Sequence, residues 1–107
     1  MNEVLNISAY RFVPIADPAD WRASLWSAAQ ALQLRGTILL AEEGINLFLA
    51  GKADAVRAFL AALRERQGMA GLDAKESWSA TVPFRHLRVK VKREIIRMNS
   101  PQVRPAA

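Results

Sequence analysis

The order in which hydrophobic periodicities succeed one another most narrows the folds open to this chain. Leu5, Ile7 and Ala9 alternate with Asn6, Ser8 and Tyr10, the two-residue period of a strand. Tyr10 and Phe12 make its second face partly apolar, which predicts a central strand, closed at Pro14. Asp17 and Pro18 then form a helix start, the carboxylate capping free N–H groups and the proline fitting the first helical position. Asp20 adds favourable negative charge to that first turn. Trp21, Leu25, Ala28 and Leu32 follow on one helical face, and Gly36 ends the connection.

Residues 37–42 and 45–50 read as two strands of a hairpin, with Glu43 and Gly44 between them. A second helix is predicted over residues 52–66, with Val56, Phe59, Leu60 and Leu63 buried, Asp54 near its start, Arg64 and Arg66 near its end and Gly68 as the stop. Strand character returns at 72–79 and again, more strongly, at 87–95, with Pro83 between. The expected class is therefore α+β: a ferredoxin-like (acylphosphatase-like) βαββαβ sandwich with an antiparallel sheet, two helices on one face and an added C-terminal strand. Residues 1–96 form the domain, and 97–107, rich in Pro and Ala without periodicity, read as a linker or tail. Trp21, Trp26 and Trp78 are expected in the core or half-buried, with Trp26, off the main helix stripe, partly exposed.

Composition removes several functional classes. With no cysteine among 107 residues, there is no disulfide, no thiolate nucleophile and no thiolate metal site. The apolar runs fall far short of the roughly 20 residues of a membrane helix. The N-terminus shows neither a basic nor an apolar leader region, so the expected location is cytoplasmic. The net charge of +5 is unevenly held: residues 1–53 carry four Lys or Arg against five Asp or Glu, residues 54–107 eleven against five. Such concentration suggests an anionic partner, nucleic acid before membrane surface.

Two strings stand out. In 87–92, Arg88, Lys90 and Lys92 fall on one side of the strand and Leu87, Val89 and Val91 on the other. Successive cations are then roughly 7 Å apart, a spacing that can follow the phosphates of a single strand. The competing reading is edge protection by charge, but Arg85 and Arg93, with Arg97 beyond, exceed what protection needs. In the other string, Glu42, Glu43, Gly44, Ile45 and Asn46 read either as an ordinary hairpin turn or as carboxylates and an amide presented at the sheet end. As strand neighbours the two glutamates point apart and make a poor acid/base pair. His86 stands alone, and no metal spacing, phosphate-binding glycine loop or nucleophile triad is visible. No cofactor is implied. The glycine-rich anion loop of acylphosphatases, with its following Arg, is also missing.

Three strings in order, 7–12 with 15–18, 40–46 and 88–96, resemble the N-terminal domain of the bacterial rhodanese-domain tRNA uridine hydroxylases. The resemblance implies a part of an oxygen-dependent enzyme that hydroxylates the wobble uridine of tRNA. In that family a rhodanese-like domain holding the essential cysteine follows. This chain has no cysteine, so it reads as that N-terminal domain alone, with 97–107 leading toward the rhodanese domain. The family motif carries over onto Glu43, Gly44, Ile45 and Asn46, and the basic strand onto Lys90, Lys92 and Arg93. The expected partners are tRNA and the rhodanese domain, with no membrane. Two alternatives stand beside tRNA binding: a non-catalytic module that packs on the rhodanese domain or dimerises, and a freestanding acylphosphatase-like enzyme.

Overall fold

The computed structural model describes residues 3–93. Its elements run β1 (Val4–Phe12), α1 (Pro18–Ala31), β2 (Arg35–Ala41), β3 (Gly44–Lys52), α2 (Ala53–Arg64), β4 (Ala74–Ser79) and β5 (Leu87–Val91). They build one sheet in the order β4-β1-β3-β2-β5, with β1 inside it as its two-sided apolar pattern requires. The α+β ferredoxin-like architecture with an added strand is as expected.

The sheet is mixed, and here the expectation of an antiparallel sheet needs correction. β1 pairs antiparallel with β3 and β4, and β2 antiparallel with β3, but β5 pairs parallel with β2. The reason is the connection over residues 80–86. It crosses one end of the sheet, so β5 runs opposite to β4 yet lies beside β2, on the far edge. The strand predicted over 87–95 ends at Val91, and its ladder continues only through Lys92 N–H donating to the Leu40 carbonyl at 2.7 Å. The predicted residues beyond 93, including Ile95, Arg97 and the 97–107 linker, lie outside the described part of the chain.

Both helices cover one face, α1 over β5 and β2, α2 over β3 and β1. Alternation sends Leu5, Ile7, Ile38, Leu40, Leu47 and Leu49 into that layer, where they meet Leu25 and Ala29 of α1 and Val56, Phe59, Leu60 and Leu63 of α2. Asp17 caps α1 through a carboxylate oxygen that accepts from the Asp20 N–H at 3.3 Å, with Pro18 at the start of the helix. The core gains loop residues that periodicity did not mark: Ile15 before α1, Leu34 after it, and Met69 and Leu72 in the loop after α2. Arg64 Nε donates to the Leu72 carbonyl at 3.0 Å and holds that loop down.

Of the tryptophans, Trp21 and Trp26 are as expected and Trp78 departs. Trp21 is half-buried against the core beneath the Arg66 guanidinium, 4.8 Å from the ring centroid. Trp26 and Trp78 are exposed, by 41% and 46%. Trp78 lies on the outer strand β4, where only one neighbour exists to cover it. Arg57 sits over its ring at 5.8 Å and pairs with Glu76 at 3.5 Å.

Gly36 does not end a connection; it lies within β2 at φ +132°. A Cβ there would collide with the Phe48 carbonyl oxygen of β3, so only glycine allows the two strands to close at this point.

Candidate nucleic-acid interface

The cationic strand is positioned by its own apolar alternation. Val89 is buried (3% exposed) against α1, which turns Arg88 and Lys90 to the opposite, helix-free face, where both are exposed. The ladder bond at Lys92 carries the same alternation one residue further, and Lys92 and Arg93 are also exposed. Arg22 of α1 clamps the strand from beneath, its Nε donating to the Val89 carbonyl at 2.7 Å. Arg85 and His86 enter the strand at the sheet end, where the His86 carbonyl accepts from Gly36 N–H at 2.9 Å.

Strand register shows what surrounds these cations. Arg88 pairs with Thr37, Thr37 with Phe48, Phe48 with Ser8, and Ser8 with Lys75. One row across the open face therefore reads Arg88, Thr37, Phe48, Ser8, Lys75. The next row reads Lys90, Leu39, Asn46, Tyr10. Arg35 and Lys52 lie on the same face at the sheet end. Among the described residues, no strand position on this face is acidic; Glu76 points to the helix side, alternate to Lys75. The sequence reading missed Lys75, Arg35, Lys52, Tyr10 and Phe48 as members of this surface. Alternation alone assigns each to a face of its own strand. Only the strand order brings them together.

The Glu42–Asn46 string lies at the other end of the sheet. Glu42 and Glu43 form the tight turn, exposed, with Ala41 opposite Gly44. The turn's backbone holds the β1–α1 connection: Val13 N–H donates to the Glu43 carbonyl at 3.0 Å and Ile15 N–H to the Glu42 carbonyl at 2.9 Å. Gly44, at φ +155°, lets Arg11 of β1 approach, since a Cβ would strike the Arg11 carbonyl oxygen. Ile45 is core, and Asn46 is buried (3% exposed) on the open-face side of β3. The structure thus gives Gly44 and Ile45 a folding role and puts the glutamates at the sheet end that β5 reaches with Lys92, away from Arg85 and Arg88 at its start. Among the described residues no group of three or more His, Cys, Asp or Glu is placed to hold a metal ion, and no helix is long and apolar enough to cross a membrane.

Residues 4–95 match the family described as the UPF0176 acylphosphatase-like domain. The chain belongs to that family. Family relatives include the tRNA uridine(34) hydroxylases of Delftia acidovorans, 60% identical over 99% of this chain and 40% of that protein, and of Variovorax paradoxus, 61% identical over 100% of this chain and 41% of that protein. The chain thus spans about two-fifths of the length of these relatives. Among solved structures, an acylphosphatase from Coxiella burnetii superposes with a TM-score of 0.58 at 17% identity, over 85% of this chain and 94% of that one. That likeness concerns the fold. In this UPF0176 acylphosphatase-like domain the β1–α1 connection is Val13-Pro14-Ile15-Ala16-Asp17, with neither a glycine nor an arginine to cradle an anion.

Proposed function

We propose that this domain holds tRNA for a longer polypeptide that hydroxylates the wobble uridine, the chemistry residing in the part outside this chain. The observation that carries the reading is the open sheet face, without an acidic strand position among the described residues, edged by Arg88, Lys90 and Lys92. Edge protection needs charge along one strand; here cations also stand on β4, β3 and β2 of the same face. The relatives named for action on tRNA supply the class of anion.

The test is salt-dependent binding of tRNA. The log–log slope of affinity against salt approaches about −0.9 per phosphate neutralised on a duplex and about −0.7 on a single strand. The double variant Lys90→Glu, Lys92→Glu is expected to weaken binding by at least about tenfold, or 1.4 kcal/mol, and to lower that slope. Its stability should stay within about 0.5 kcal/mol of the parent, because both side chains face solvent. Charge reversal at Asp20, on the helix side, serves as the control. A folded double variant that binds tRNA as the parent does at equal ionic strength refutes the reading.

A second reading is favoured by one observation: Phe12 and Val91 are 52% and 43% exposed. In it these side chains dock on the remainder of the polypeptide, or on a second copy, without contact to RNA. Protection of Phe12 and Val91 from hydroxyl-radical labelling in a full-length relative, with no tRNA affinity in this domain, is its signature.

A further inference from the structure

We infer that the open face receives a single-stranded, unpaired RNA segment, with bases seated on Phe48 and Tyr10 and the backbone held by Lys75 on one flank and Arg88 and Lys90 on the other. This rests on the tRNA-binding reading and adds to it: the domain takes an unpaired loop of the RNA, not its helical stems.

Phe48 lies on the middle strand, two strands from Lys75 and two from Arg88, or about 10 Å from each, backbone to backbone. Tyr10 stands on the adjacent strand, opposite Asn46, so it is the diagonal neighbour of Phe48 at roughly 7–8 Å. Tyr10 is 41% exposed, and its ring meets that of Phe12 with centroids 5.9 Å apart. An aromatic centre with cations on both sides fits a polymer that carries flat faces along its middle and charge along its spine.

Surface shape agrees. A depression of about 590 Å³ lies among Tyr10, Asn46, Phe48 and Lys75, with Arg11 and Asp73 also in its lining. A second, of about 530 Å³, lies on the other side of Phe48, towards Phe84. The two share Ser8, Phe48 and Lys75, so Phe48 and its neighbours separate two adjoining hollows.

An A-form stem would use this surface differently. Its bases are stacked inside, its deep major groove is closed to side chains, and it offers phosphates and 2′-hydroxyls to the protein. The β5 cations alone would serve it, and Phe48 and Tyr10 would contribute nothing. An unpaired segment splays its bases, and open sheet faces bearing aromatic side chains accept them by stacking. An apolar protein partner is the poorer fit, since burying this face would also bury Lys75, Arg88 and Lys90 away from water.

The experiment compares a fluorescein-labelled single-stranded oligouridylate with a blunt RNA duplex of equal length, both titrated with the full 107-residue chain. The single strand is expected to bind more tightly. Tyr10→Leu and Phe48→Leu are each expected to weaken it about tenfold and to leave duplex binding unchanged, whereas Lys90→Glu, Lys92→Glu weakens both. Phe48 is half-buried, so should its variant fail to fold, Tyr10→Leu and photocrosslinking decide: a bromouridine-substituted single strand should attach to Tyr10 or Phe48. Equal affinity for strand and duplex, or single-strand binding indifferent to Tyr10→Leu with crosslinks only at β5, overturns this inference while leaving tRNA binding standing. Absence of binding to tRNA and to both oligonucleotides overturns the two together and leaves protein docking as the use of the face.

Discussion

Replacing Gly36 by alanine should be among the most damaging single changes of one methyl group in this domain. Two costs add. At φ +132° an L side chain sits in backbone space it rarely occupies, which costs on the order of 1–3 kcal/mol. The new methyl also meets the Phe48 carbonyl oxygen and presses towards the Leu49 Cα. These are backbone atoms of the neighbouring strand, and forcing them apart costs about 1–3 kcal/mol more. A total near 4 kcal/mol is a large part of the roughly 5–15 kcal/mol that holds a domain folded, and it should lower Tm by about 15–30 °C. The damage also reaches the interface, since Gly36 N–H opens the β2–β5 ladder by bonding the His86 carbonyl. Urea unfolding followed by tryptophan fluorescence measures the loss, with Gly71→Ala as the comparison. There a Cβ meets only the guanidinium tip of Arg11, at 3.0 Å, a flexible end that can move, so stability should change by no more than about 1 kcal/mol. A Gly36→Ala protein within about 1 kcal/mol of the parent would show that the strands at this point give way easily, and the steric reasoning would be wrong.

Asp17→Ala should cost about 1 kcal/mol in the same unfolding assay, since it removes the α1 cap; Asp17→Asn should restore most of it. Phe59→Ala, at a position 1% exposed between α2 and the sheet, should cost about 3–5 kcal/mol and show as a large drop in the urea midpoint. Arg22→Gln should leave global stability within about 1 kcal/mol yet speed amide exchange at residues 88–92, because it removes the bond to the Val89 carbonyl; unchanged exchange would mean the β2 ladder alone holds β5. With no cysteine, the chain should transfer no sulfur from thiosulfate to cyanide, which a colorimetric thiocyanate assay checks.

Local signals made the elements of this fold legible. Asp17-Pro18 marked the start of α1, the stripe through Val56, Phe59, Leu60 and Leu63 marked the buried side of α2, and period-two alternation marked β1 and β5. What escaped has a common cause. Met69 and Leu72 are buried from a loop, where no period announces them. Trp78 is exposed because β4 is an outer strand, a fact of strand order. The parallel pairing of β5 with β2 likewise follows from which edge the 80–86 connection reaches. The candidate site divides the same way. The cations of β5 could be read from one strand, whereas Lys75 is brought into line with Arg88 by pairings across four strand boundaries.

Register therefore links stability to the proposed RNA-binding surface in this domain. Sliding β5 by one residue against β2 would turn Val89 to water and Arg88 and Lys90 into the helix layer, since side chains alternate strictly along a strand. Burial of Val89 against α1 opposes the slip, and so does the Arg22 bond to its carbonyl. The same alternation that fills the core thus sets Arg88 and Lys90 on the open face, Arg88 in one row with Phe48 and Lys75. An apolar substitution at Lys90 would weaken this discrimination, because both registers would then bury a tolerable side chain. Val89→Lys would remove it from the other side, leaving a charge beneath α1 in the native register. The expected result for Val89→Lys is loss of β5 amide protection together with RNA affinity, while β1, β3 and α2 stay protected. A Val89→Lys protein that keeps both β5 protection and binding would show that the ladder to β2, without the core contact, is enough to orient the interface.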